Sequence, residues 1–118
     1  MKKKELQRYV DMVARILWSK DGVIVFKNMS PNANHRYHNV PPIHIVAFAL
    51  DKPIFIRVRP PKRTRQPPLI VLDGDRFGLP GTYVSVAASR VGIDRLAGLI
   101  VETVYRRRQE LGMVETRG

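Results

Sequence analysis

Proline confines the helices of this chain to its two ends. All nine prolines among the 118 residues lie between Pro31 and Pro80. Proline has no backbone N–H and interrupts a helix interior at a cost of about 3 kcal/mol or more. Outside that segment, apolar residues recur at helical spacing from Lys3 to about Ser19 and from Ile93 to about Leu111. The sequence therefore predicts one amphipathic helix at each end.

The middle of the chain has the composition of short strands joined by turns. β-Branched and aromatic residues, which favour strands, are concentrated in five segments. These segments are Val23–Phe26, Ile43–Leu50, Ile54–Arg59, Leu69–Leu72 and Thr82–Ala88. We expect a single α+β domain over residues 1–118, with two layers and four to five mostly antiparallel strands. Helices 3–19 and 93–111 would cover one face of the sheet (residues 23–88), and the other face would be free to meet a ligand.

The positive charge of the chain is concentrated before residue 66. The whole chain carries 21 Lys and Arg against 10 Asp and Glu, a net charge of +11. Residues 22–65 contribute eight basic side chains and one acidic one, whereas residues 66–118 are nearly neutral. A local excess of this size indicates a polyanionic partner, most often nucleic acid.

One predicted strand combines a core face with a face suited to nucleic acid. Along Ile54–Arg59 the aliphatic residues alternate with Phe55, Arg57 and Arg59, which must point to the opposite side. An aromatic ring can stack on a base while guanidinium groups contact phosphates. We expect these three residues to form a platform for single-stranded nucleic acid. In the alternative interpretation, the two arginines are merely solvated and Phe55 packs under a loop.

Further cations and a loop surround this platform in the sequence. The nucleic-acid-binding candidates outside the strand are Lys52, Lys62, Arg63 and Arg65 as a basic rim, Arg36, Tyr37 and His38 as a loop clamp, and His44. The hairpin before the platform allows two registers. A loop Asp51-Lys52-Pro53 would put Phe48 in the core, whereas a loop Asp51-Lys52 would put Phe48 opposite Phe55 and His44 opposite Arg59. One residue of slip exchanges the two faces of a strand.

Other motifs have competing interpretations. His35 and His38 could act as an acid–base pair in metal-independent RNA cleavage. Asp73-Gly74-Asp75 predicts a tight turn rather than a cation loop. Trp18 is expected in the core, and Arg106-Arg107-Arg108 could contact phosphate or simply complement the helix end. No metal site or cofactor is predicted.

Composition excludes several classes of protein. The chain has no cysteine, which removes disulfides, thiol nucleophiles and Cys-based metal sites. Its apolar runs are too short for a membrane span, and charged residues follow the basic N-terminus where a signal peptide would be apolar. We expect a cytoplasmic prokaryotic protein, with nucleoid association open. Fourteen Arg against seven Lys, with many prolines, fit an archaeal thermophile.

Two family resemblances follow from these residues. Pro42-Ile43-His44 with Arg57-Val58-Arg59 resembles the core of PD-(D/E)xK nucleases, such as archaeal Holliday-junction resolvases. His44 and Arg57 stand where that family has metal-binding carboxylates, so the resemblance implies binding without metal-dependent cleavage. The layout of residues 3–111 resembles archaeal ThermoDBP-type single-stranded DNA-binding proteins, in which helices and an antiparallel sheet form a cleft for bases.

Taken together, these features predict a non-enzymatic protein that binds single-stranded DNA or RNA with little sequence specificity. Two alternatives stay open: an RNA-processing nuclease that uses the loop histidines, and a structural component of chromatin or a ribonucleoprotein that holds duplex. A homodimer is also open, because the edge strands and the last helix could both self-associate.

Overall fold

The chain folds in the predicted order of helix, five strands and helix. The computed structural model describes residues 2–27, 43–63 and 65–113. The elements are α1 (Lys3–Trp18), β1 (Val23–Lys27), β2 (Ile45–Ala49), β3 (Lys52–Arg59), β4 (Leu69–Asp73), a short 3₁₀ helix (Asp75–Phe77), β5 (Tyr83–Ala87) and α2 (Arg90–Glu110). Among these residues, no helix is both long enough and apolar enough to cross a bilayer.

The five strands form one antiparallel sheet in the order β1-β2-β3-β4-β5. Each strand therefore pairs with its immediate neighbours in sequence, and β1 and β5 are the two edges. Both helices pack on the same sheet face and share one hydrophobic core with it. The predicted two-layer α+β architecture, with both helices on one face, is confirmed.

Strand alternation separates the core from the outer face of the sheet. Ile54, Ile56 and Val58 point toward the helices and are at most 2 % exposed. Each helix buries a stripe of residues at helical spacing against them. These stripes are Val10, Val13, Ala14 and Leu17 on α1, and Leu96, Ile100 and Val104 on α2.

The β2–β3 hairpin adopts neither predicted register. Ala49 pairs with Lys52, so the loop is Leu50-Asp51, and Phe48 lies opposite Pro53 on the outer face. Leu50 has a φ of 60°, a conformation that usually selects glycine at the first position of a two-residue hairpin loop. The register is nevertheless favourable, because it directs small Ala47 and Ala49 into the core beneath the helices.

Two predictions for α2 were wrong. Helix α2 begins at Arg90 rather than residue 93, because the Ser89 hydroxyl caps it by accepting a hydrogen bond from the Gly92 N–H at 3.2 Å. The helical spacing after residue 93 also predicts Val101 and Tyr105 on the inward face, but they are 53 % and 55 % exposed, since they lie to the side of the buried stripe.

Trp18 is 67 % exposed rather than in the core, because the preceding residue Leu17 occupies the inward position at the end of α1. A glycine directly after the helical pattern predicts a C-terminal cap for α2 at Gly112, and the structure has one there. Gly112 has a φ of 69°, and the N–H of Met113 donates to the Arg108 carbonyl at 2.8 Å, which completes a Schellman motif.

Candidate nucleic-acid interface

A row of aromatic side chains crosses the outer face of the sheet from edge to edge. The cross-strand partners in this row are Phe26, Val46, Phe55, Asp73 and Tyr83, one from each strand. The two aromatic residues at the edges are the most accessible, with Phe26 58 % and Tyr83 57 % exposed. Neighbouring strands lie about 4.8 Å apart, so three rings are spaced along one straight line at every second strand.

Phe55 points to the outer face as predicted, but its ring is partly covered. The ring of Phe77 packs against it with centroids 4.3 Å apart and a tilt of 42°. Phe77 belongs to the 3₁₀ helix, so Phe55 does pack beneath a loop, which was the alternative interpretation of this residue. Both rings stay half-buried, and the pair forms a raised aromatic ridge in the middle of the face.

Local hydrogen bonds hold the loop that carries Phe77. The Gly74 N–H donates to the Thr82 carbonyl at 2.7 Å, and the Gly81 N–H donates to the Asp75 carboxylate at 2.9 Å. The chain does turn at Asp73-Gly74-Asp75, but it does so through a 3₁₀ helix without a side-chain cap, and the Asp75 carboxylate instead closes the longer loop to Gly81. Gly78 ends the 3₁₀ helix with a φ of 91°, and the Lys52 side chain lies across it, since a Cβ at Gly78 would be 3.0 Å from the Lys52 Nζ.

Sequence reasoning did not select Phe26 as an interface residue. Its ring contacts Phe48 edge to face, with centroids 6.1 Å apart. The signal was present in the alternation of β1, where Val23 is buried while Ile24 and Phe26 are exposed. Using that signal required the β1–β2 register, which pairs Phe26 with Val46 and Ile24 with Phe48.

Arg57 and Arg59 follow Phe55 along the same face of β3. Arg57 is half-buried opposite Val71, and Arg59 is exposed opposite Leu69. Within the described ranges neither arginine forms an ion pair, and the same holds for the exposed rim residues Lys62, Arg63 and Arg65. The structure thus brings Arg57 and Arg59 to the aromatic face, where no acidic side chain of the described residues pairs with them.

Two arginines of α2 are neutralised by acidic partners. Arg107 forms a two-pronged ion pair with Asp51, with both N–O distances at 2.6 Å, and Arg108 contacts Asp21 at 2.9 Å. The Arg107 hydrogen bonds hold the pKa of Asp51 below its ordinary value. Both arginines are therefore used to fix α2 to two turns, which is a structural role.

One ion pair, between Asp73 and Arg76, lies on the outer face itself. Asp73 is almost fully buried in the aromatic row, and one of its carboxylate oxygens is 3.4 Å from the Nε of Arg76. Arg76 is itself highly exposed, with 79 % of its side chain accessible. It therefore offsets the charge of Asp73 and presents a further guanidinium beside Phe77.

His44 is a structural residue and not an accessible binding residue, contrary to prediction. Its side chain is buried, and its Nδ1 accepts a hydrogen bond from the Val58 N–H at 3.0 Å. Burial lowers the pKa of His44, and the nearby charge of Arg57 lowers it further. The imidazole is therefore neutral at pH 7, and we leave it out of the interface.

Part of the predicted site cannot be compared with the structure. His35, Arg36, Tyr37 and His38 lie outside the described residues. Within the described ranges, no three His, Asp or Glu side chains are grouped so that they could hold a metal ion.

No protein-family model matches the chain, and neither a curated protein nor a solved structure does.

Proposed function

We propose that this protein binds single-stranded nucleic acid across the outer face of its sheet, without catalysing a reaction. The observation that carries the proposal is the coincidence, on one face, of an aromatic row with arginines that have no acidic partner within the described chain. Phe26, the Phe55–Phe77 ridge and Tyr83 would stack on bases. Arg57 and Arg59, beside this row, would contact phosphates.

The arrangement favours a single strand over a duplex. Stacking on an aromatic side chain requires a base whose face is exposed, and in a duplex the base faces are covered by neighbouring base pairs. Each strand of the sheet adds one position to the row, so a strand of nucleic acid that crosses the sheet passes all three aromatic positions. Because every base has a π-face, such a row gives little sequence specificity.

The basic rim and the loop residues extend the proposed surface. Lys62, Arg63 and Arg65 are exposed and directly follow β3, so they continue the line of charge beyond Arg59. Lys52 lies at the opposite end of β3, beside the loop that carries Phe77. Arg36, Tyr37 and His38 are proposed as a clamp on the sequence pattern alone.

A competition titration tests the proposal. Fluorescence anisotropy of labelled oligo-dT would be measured with unlabelled oligo-dT, oligo-rU and a DNA duplex as competitors, at two salt concentrations. We expect single strands to compete better than duplex, and the slope of log K against log salt to be about −0.7 per phosphate neutralised. The ratio for dT against rU would distinguish a DNA-binding from an RNA-binding protein.

A matched pair of charge variants locates the surface. The Arg57→Gln/Arg59→Gln protein should bind oligo-dT more weakly. Its slope of log K against log salt should be shallower by the amount that corresponds to roughly one to two fewer phosphates neutralised. The control is Lys4→Gln/Arg8→Gln, which removes two exposed cations from α1 on the opposite layer. An equal loss of affinity in both variants would mean that only net charge matters. Equal affinity for duplex and single strand would instead support the alternative of a structural component of chromatin or a ribonucleoprotein.

A further inference from the structure

Among the described residues, the outer edge of strand β1 has no strand paired with it. The Gly22 carbonyl accepts a hydrogen bond from the Leu50 N–H at 3.0 Å, and these residues continue the β1–β2 register. Hydrogen-bonded pairs alternate along antiparallel strands, so Ile24 and Phe26 bond to β2. The main-chain N–H and C=O of Val25 must then point away from the sheet, and no partner for them occurs among the described residues.

Apolar side chains are exposed on both sides of this edge. Ile24 and Phe26 are 52 % and 58 % exposed on the outer face. On the helix side, Trp18 is 67 % exposed at the mouth of a groove of about 400 Å³ between α1 and β1. Edge strands of stable monomers are usually protected by charge, proline or a bulge. Here the strand has one charged residue, Lys27, and that residue is turned toward Asp11.

The edge is complementary to itself. If β1 pairs antiparallel with a second β1 about Val25, each Ile24 lies opposite the other Phe26 on the outer face, which forms two apolar cross-strand pairs. At the centre, the two Val25 residues exchange their free N–H and C=O groups. A strand pair of this kind is an isologous interface, in which the same surface is used by both copies.

The groove beneath the edge is complementary to itself in charge. The groove residues of α1 are Asp11, Ala14, Arg15 and Trp18, which share one helix face. A two-fold axis through Val25 makes the two α1 helices antiparallel, with small Ala14 near the axis. Asp11 of each copy then faces the Arg15 end of the other helix, and Arg15 forms no ion pair among the described residues.

We propose that β1 pairs with β1 of a second copy of this chain, so that a two-fold dimer contains one continuous ten-stranded sheet. The outer faces of the two copies would form a single surface. The proposal stands on the geometry of the edge and does not depend on nucleic-acid binding.

Proline at two equivalent edge positions tests the proposal. Val25→Pro removes an N–H that points away from β2, and proline is tolerated on edge strands for this reason. The matched control is Ser85→Pro on β5. The Gly74–Thr82 and Ala88–Pro68 hydrogen bonds fix the β5 register, so the Ser85 N–H also points away from the sheet. The full chain and both variants would be examined by sedimentation equilibrium across a dilution series.

We expect the unmodified chain to sediment at twice its monomer mass of 13.5 kDa. Val25→Pro should raise the dimer Kd at least about tenfold, with an unchanged far-UV circular dichroism spectrum, and Ser85→Pro should not. If Val25→Pro fails to fold, Ile24→Lys replaces it, because this exposed change places a lysine opposite Phe26 of the second copy. A monomeric unmodified chain would overturn the proposal. Loss of the dimer in Ser85→Pro would also overturn it and would indicate pairing through the β5 edge. A further variant, Val101→Lys, changes an exposed apolar residue of α2; a dimer lost only in that variant would overturn the proposal and indicate an interface through α2.

Discussion

The Nδ1 atom of His44 accepts a hydrogen bond from the main-chain N–H of Val58 at 3.0 Å, and the His44 N–H donates to the Ile56 carbonyl, also at 3.0 Å. One residue before β2 therefore satisfies two main-chain groups of β3. The contact requires an uncharged imidazole nitrogen, because a doubly protonated ring has no acceptor. This side-chain contact, which lies beyond the five residue pairs of the β2–β3 hairpin, thus depends on the protonation state of His44.

Acidification should weaken the fold through His44. Burial lowers the pKa of the folded side chain, so the unfolded chain takes up this proton at a higher pH. The free energy of unfolding should therefore be constant for this group above about pH 6.5 and fall as the pH decreases from there toward the folded-state pKa. Thermal unfolding across that range should show a shallower dependence in His44→Gln, which does not titrate. Identical slopes would contradict the prediction.

Removing the hydrogen-bond acceptor of His44 altogether should lower the free energy of unfolding more than removing only its titration. His44→Leu leaves the buried Val58 N–H without a partner, for which we expect a loss of about 1–3 kcal/mol in the free energy of unfolding. Urea unfolding at neutral pH measures this loss. A change below a few tenths of a kcal/mol would mean that water replaces the imidazole.

Gly92 and Gly98 should respond in opposite directions to alanine. A Cβ at Gly92 would lie 1.9 Å from the carbonyl oxygen of Ala87, so the tight connection from β5 into α2 would have to shift. We expect Gly92→Ala to destabilise by about 1–3 kcal/mol. Gly98 is exposed on the same helix with no atom within 4 Å of such a Cβ, so Gly98→Ala should stabilise by about 0.5–1 kcal/mol. Urea midpoints with unchanged m-values measure both effects.

The Asp51–Arg107 ion pair should make the β2–β3 turn sensitive to acid. The pKa of Asp51 lies below its ordinary value because Arg107 bonds to the carboxylate. Its stabilising contribution is therefore complete above about pH 4 and is lost as the pH falls through the folded-state pKa. Arg107→Met should lower the Tm at neutral pH and reduce its fall in acid. Arg95→Met serves as the control, since it removes the same charge from an exposed arginine of α2 that forms no ion pair among the described residues; an equal effect would show that net charge is responsible.

Loss of an accessible ring should weaken nucleic-acid binding according to its position. Phe26→Ala and Tyr83→Ala should each reduce affinity for oligo-dT by about 1–3 kcal/mol if a base stacks there. Tyr105→Ala is a matched control, because this tyrosine is 55 % exposed but lies on α2 in the other layer. Similar losses in Tyr83→Ala and Tyr105→Ala would place the binding surface elsewhere.

The elements could be predicted from the sequence because their signals are local. Proline distribution, helical spacing and strand alternation depend on neighbouring residues, and alternation alone oriented Phe55, Arg57 and Arg59. The hairpin register could not be predicted, because Leu50 adopts a backbone conformation that its side chain does not favour. The same loop also makes a tertiary contact that its sequence does not indicate, since Asp51 is bound to Arg107, 56 residues later.

The candidate site was predictable in its charge and less so in its aromatic residues. Within the described residues Arg57 and Arg59 have no acidic partner, and the lack of acidic residues at 52–72 is visible in the sequence. Phe77 covers Phe55 through a loop whose path is set by hydrogen bonds between its own two ends, and the sequence pattern alone does not show which groups pair there. His44 was wrongly predicted to bind nucleic acid, because a histidine among cationic residues is typical of a phosphate contact. Its burial depends on how β2 pairs with β3, which the sequence left open.

The contact between the two ends of the chain has a consequence for folding kinetics. Each strand pairs with its sequence neighbours, so the sheet can form from successive hairpins, whereas the Arg108–Asp21 contact closes a separation of 87 residues. Loop-closure entropy makes such a contact late. Asp21→Asn should therefore accelerate unfolding and leave the refolding rate nearly unchanged, a difference that the two arms of a chevron plot would resolve. The junction of α2 with the α1–β1 turn would then control how long the native state lasts and not how fast it forms.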